Sequence, residues 1–124
     1  PQYRRREALD WISCQRDLGH ALYAGSIDTS SRENYISSSL YDEGFATANN
    51  IKISLEVGMD KIPVSGNPQL IDTYLSEYND GLKSGNMSTA YSEIAQTYGT
   101  SEKTGSGEDY SEYYGKYYDI NIKK

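Results

Sequence analysis

The chain has 124 residues but only one cysteine (Cys14), one histidine (His20), one tryptophan and one phenylalanine. A lone cysteine excludes an intramolecular disulfide. One Cys with one His leaves too few soft ligands for a structural zinc site. No apolar run approaches the ~18 residues that a membrane-spanning helix needs, so no membrane insertion is expected. No signal peptide is visible. A start at Pro1 instead of Met implies either a trimmed Met or a longer segment removed by processing. Sequence patterns for a nucleophile elbow, a zincin helix, a phosphate-binding glycine loop and an EF-hand are all missing.

The few chemically versatile residues read as structural. His20 lies away from the helical face carrying Trp11, Leu18 and Leu22, which reads as a solvated ring. Cys14 neighbours Trp11 and Leu18, so a half-buried structural thiol is weighed against a reactive one and preferred. Asp42 and Glu43 are adjacent and diverge around a helix, which suits a solvated face better than a paired-carboxylate site. Asn86-Met87-Ser88 matches a glycosylation acceptor, yet Asn86 serves equally as a helix cap. No enzyme activity, metal or cofactor is expected.

Charge of one sign dominates the body of the chain. Residues 1–32 hold five Arg against four acids, whereas residues 33–119 hold five Lys against 14 acids. Net charge is −6 and the isoelectric point about 4.7. Nucleic-acid binding depends on releasing counterions from phosphate with basic side chains, so an acidic body argues against it. A basic protein partner suits it better. The run Arg4-Arg5-Arg6, followed by Glu7, reads as a solvated terminus rather than a phosphate contact.

What is present is helical periodicity. Ala8, Trp11, Ile12, Leu18 and Leu22 share a face in a first segment, about 4–23. A second starts at Ser30, where Ser30 and Glu33 have the spacing of a capping box, and runs to about Val57. Its seam is Leu40, Gly44, Ala48, Ile51 and Leu55, with small residues where another helix can approach. The stretch GMDKIPVSGNP, residues 58–68, reads as a loop. Asn67 is a natural N-cap and Pro68 a natural first helical residue. A third segment carries Leu70, Ile71, Tyr74, Leu75, Tyr78 and Leu82 and ends at Gly81 or Gly85. A fourth carries Met87, Ala90, Tyr91, Ile94, Ala95 and Tyr98 and closes at Gly99. Residues 100–107 read as a flexible connector.

The C-terminal stretch EDYSEYYGKYYD packs five of the 13 tyrosines into nine positions. Tyr110, Tyr113, Tyr114, Tyr117 and Tyr118 fall on one helical stripe. Asp109 and Glu112 stand at its start, where the helix dipole favours negative charge. Tyrosine suits a half-wet place, its ring packed and its hydroxyl reaching outward. The stripe therefore either docks on the rim of its own bundle or anchors a partner.

Three stretches carry a family resemblance: EGFATANN (43–50), DKIPVSGN (60–67) and QLIDTYLSEYN (69–79). With Gly44, Phe45, Ala48, Asn49 or Asn50, then Ile62, Gly66 and Asn67, then Tyr74, Leu75 and Tyr78, this run of about 40 residues resembles the small helical periplasmic immunity proteins that protect bacteria against cell-wall amidase toxins of type VI secretion. The resemblance implies a periplasmic or secreted setting and a toxin partner. The chain departs from the family pattern at Asn79, where a second cysteine would pair with Cys14.

The expectation is thus an all-α, single-domain bundle of four to five helices with one longer loop near 58–66. Its function is non-catalytic binding of a protein, as an immunity or inhibitor protein, or as a self-associating phage or secretion-apparatus subunit. The candidate contacts are Tyr110, Tyr113, Tyr114, Tyr117, Tyr118, Asp109 and Glu112, together with Asp60, Lys61 and Ile62 of the loop.

Overall fold

A computed structural model describes residues 27–123. The first predicted segment, with Trp11, Cys14, His20 and the arginine run, lies outside the described residues. Those described form an all-α bundle of four helices: α1 (Arg32–Val57), α2 (Ile71–Ser84), α3 (Met87–Ser101) and α4 (Tyr110–Asn121). A single 3-10 turn, Pro68–Leu70, leads into α2.

The long helix α1 is the backbone of the bundle and pairs with α3 along its length; α2 packs mainly on α3, and α4 mainly on α1. Gly44 is what lets α1 and α3 come so close. A Cβ there would collide with the carbonyl oxygen of Tyr91 and press on Ala95. The core around this crossing joins Ala48, Ile51, Val64, Tyr74, Tyr78 and Ile94. Ile51 and Ile94 are fully buried, and each such side chain contributes about 1.5–3 kcal/mol through burial.

The helix boundaries follow local chemistry, with some corrections to the expectation. The N-cap of α1 is Ser31, whose hydroxyl accepts from the Asn34 amide, and not Ser30, which instead accepts from the Asn34 side chain. Asn67 and Asn86 cap as expected, accepting from the amides of Gln69 and Ser88. Gly85 ends α2 in the left-handed conformation, with φ of 72°. Helix α3 runs on through Gly99 to Ser101, because Gly99 is a contact point and not a stop: Leu40 and Ser111 press against it. Leu55 and Leu82 leave the expected seams and are more than half exposed. Each lies beyond the point where a neighbouring helix covers its face.

The loop between α1 and α2 is tied at several points. Ile62 and Val64 are buried. The buried Asn50 side chain accepts from the amide and hydroxyl of Ser65. Glu102, just past α3, accepts from the Asn67 amide at 2.9 Å and the Tyr74 hydroxyl at 3.0 Å through one oxygen. The connector from α3 to α4 is a hydrogen-bonded turn: Thr104 donates to the Glu108 carbonyl, Gly107 donates to the Thr104 carbonyl, and Lys103 bridges Asp109.

Candidate protein-binding site

Helix α4 is docked on the bundle, and docking divides its tyrosines. Tyr110 and Tyr114 turn inward to join Leu40, Ala95, Tyr98 and Ile36 in a second core cluster. The Tyr110 ring meets Tyr98 at 4.7 Å between centroids. The Tyr114 hydroxyl donates to Glu43 at 3.0 Å. Burial first, and then the Glu43 charge, push the Tyr114 phenol far above its ordinary value of 10. Glu43 is therefore a hydrogen-bond acceptor for α4 and not the solvated side chain expected from the sequence.

Tyr35 of α1 organises the other rings. It lies edge-on to Tyr114, nearly parallel to Tyr117 at 6.1 Å with an interplanar angle of 13°, and 5.9 Å from the half-buried Tyr118. Burial holds its own phenol above the ordinary value. One turn earlier, the Arg32 guanidinium reaches over Gly115, where a Cβ would collide with it, to bond Asp119. That pair is exposed on both sides and adds little stability.

What faces outward is a second stripe on the same helix. Tyr113 and Tyr117 are each 43% exposed, and Ile120 is 79% exposed. They stand at i, i+4 and i+7, so they line up along one side of α4. Of the acids expected beside the stripe, Glu112 is exposed in the first turn. Asp109 is held by Lys103. Lys116 donates to Glu108 at 2.7 Å, and this partner lowers the Glu108 carboxyl below its usual value.

The loop candidates are divided in the same way. Asp60 and Lys61 are exposed, but Ile62 is only 5% exposed and packs inward. Ile62 is core, a correction to its expected place on a contact surface. The alternating Ile62-x-Val64 pattern was the signal that both side chains face inward. Tyr35 and Ile120 were missed by sequence reasoning. The face of α1 that receives α4 combines the aliphatic Ile36 and Leu40 with Arg32, Tyr35 and Glu43, and a count of aliphatic seams passes over the last three.

Tyr35 and Val57 are 22 residues apart in one helix, about 33 Å along its axis, but Tyr114 bonds Glu43 and the loop's Ser65 bonds Asn50, so the two candidate patches come closer toward the middle of α1. A separate groove of about 360 Å³, lined by residues including Phe45, Asn49, Lys52, Tyr78 and Tyr91, contains none of the candidate contacts. Among the described residues, no three His, Cys, Asp or Glu side chains gather where they could hold a metal ion, and no helix is long and apolar enough to cross a membrane. No family model, curated protein or solved structure matches this chain.

Proposed function

We propose that this chain is a non-catalytic binding protein that blocks a toxin or enzyme, and that the outward face of α4 is its anchor. The observation that carries this reading is the exposed row Tyr113, Tyr117 and Ile120 on a helix whose adjoining side is fixed to the bundle. Aromatic residues held on a rigid element are the residues most often responsible for binding energy at protein interfaces. Glu112 beside the row, and the acidic body, favour a partner with a basic surface. A standard interface covers ~800 Å² on each partner, roughly 30 Å across. Such an interface can be centred on the tyrosine face or on the loop. The tyrosine face is preferred because its large side chains are available, whereas Ile62 of the loop is not. Together with the resemblance of residues 43–79 to immunity proteins, this reading places the protein in the periplasm or outside the cell.

The test is capture of the partner from the native organism with the intact protein and with a Tyr113→Ser, Tyr117→Ser, Ile120→Ser variant, each checked for folding by circular dichroism. The reading expects the intact protein to capture a toxin or enzyme and inhibit it, and the folded variant to lose both properties. Equal capture by both would move the anchor to Asp60 and Lys61. The same exposed row also suits a second copy of the chain, the assembly-subunit reading. Sedimentation of the purified protein distinguishes that case: concentration-dependent oligomers abolished by the triple substitution would replace the inhibitor reading.

A further inference from the structure

The seam between α2 and α3 holds a concentration of like charge unrelated to the tyrosine face. Glu77 and Asp80 of α2 face Glu93 of α3 across a groove of about 400 Å³, otherwise lined by side chains such as Thr73, Gln96 and Thr97. Glu77 is only 8% exposed and has one donor, the Thr97 hydroxyl at 2.7 Å. The Oε2 atom of Glu93 is buried without a hydrogen-bond partner. Glu93 is the one charged residue of α3, so that helix offers no cation. On α2, Lys83 stands exposed in the last turn and forms no ion pair with these acids among the described residues. The charges that α1 brings toward α2 are Glu56, beside Tyr78, and Lys52, which lines the separate groove with Tyr78 and does not line this one. The 3-10 turn contributes no charge.

We propose that Glu77 and Glu93, set in one groove with Asp80, form a proton-operated latch: a proton on this pair lets α2 and α3 hold together more firmly. When all three carboxyls are ionised they are acceptors only, and they repel one another across the seam. A proton on Glu93 turns one acceptor into a donor, and it can then bond the Asp80 carboxylate. Glu77 is raised above the ordinary carboxyl value of 4.5, by burial first and by Glu93 and Asp80 next. Glu93 is raised in the same direction by loss of solvent and by Asp80.

The sign follows from these directions. A carboxyl raised in the folded state contributes its full stabilisation below the ordinary value and loses it as the pH climbs through the raised one. Asp28 and Glu108 are lowered, so their contributions fade only as the pH drops below the ordinary range. Above the ordinary carboxyl value, the raised pair tilts stability toward lower pH, and the double variant below isolates its share from that of His20.

The experiment is urea unfolding of the full chain, followed by circular dichroism, between about pH 7.5 and about pH 4.5. The expected result is a urea midpoint that rises as the pH falls. In the Glu77→Gln, Glu93→Gln double variant the rise should disappear, and the midpoint at neutral pH should lie above that of the unsubstituted protein. A flat or opposite slope in the unsubstituted protein overturns the proposal. So does an unchanged slope in the variant. Carboxyl-carbon NMR titration of the unsubstituted protein gives an answer that does not depend on the variant folding: midpoints for Glu77 and Glu93 above 4.5 support the latch, and midpoints at or below it overturn the latch.

Discussion

Two packed regions of this molecule are built from different materials. Around Ile51 and Ile94, aliphatic side chains and the rings of Tyr74 and Tyr78 are sealed between α1, α2 and α3. Around Tyr35, by contrast, α4 is held by tyrosine rings, of which Tyr35 is buried and Tyr117 is 43% exposed. An aliphatic side chain is either buried or wasted. A tyrosine can bury one edge and present another, so the second region can attach a helix and display it at once.

The largest effect that would sharpen this contrast is expected at its aliphatic centre. Ile94→Ala should cost about 2–5 kcal/mol, measured by urea unfolding. A loss below 1 kcal/mol would mean that the bundle is not organised around this residue. Gly44→Ala should cost about 1–3 kcal/mol, because the added methyl meets the Tyr91 carbonyl and forces α1 from α3. Stability equal to the parent protein would show that the helices have room to move apart. On the aromatic side, Tyr114→Phe removes the donor to Glu43 and should cost about 1.5 kcal/mol, the low end for a charge-assisted hydrogen bond.

The same bond has a pH signature. The Tyr114 phenol is raised in the folded state, so its contribution is complete below pH 10 and fades as the pH rises through the folded value. Phenolate absorbance should show one tyrosine ionising only as the protein unfolds in alkali, and that step should vanish in Tyr114→Phe. The smallest effect is expected on the outward side, where Ile120→Ser should change stability by about 0.5 kcal/mol or less. A loss several times larger would make this side chain part of the fold and weaken the case for an anchor.

Helices whose partners are aliphatic and local were legible in the sequence. The spacing of Ile71, Tyr74, Leu75 and Tyr78, and of Ala90, Ile94 and Tyr98, located α2 and α3. Asn67, Gly85 and Asn86 marked their ends. Leu55 and Leu82 misled because periodicity records a helix face but not where the neighbour covering it stops. At the latter, Gly81 against Ala90 makes the close contact instead, with a Cβ on Gly81 falling only 2.6 Å from that of Ala90. The candidate site was half legible. The tyrosine stripe of α4 was plain, but it spans about 140° of the helix surface, and nothing in it tells the docked side from the displayed one. That division is set by Tyr35 and Glu43, which are 67 or more residues earlier in the chain and carry no aliphatic signature.

The stack of Tyr117 on Tyr35 has a consequence for direction. With planes 13° apart, one face of the Tyr117 ring is spent on its own molecule. The remaining face is a one-sided anchor, and a partner can reach it only from the solvent side of α4. Among all the orientations sampled in a collision, those arriving over the top of the helix can engage the ring and those arriving along the flank of α1 cannot. The stack therefore acts as a filter on the angle of approach, imposed before any contact with the partner is made.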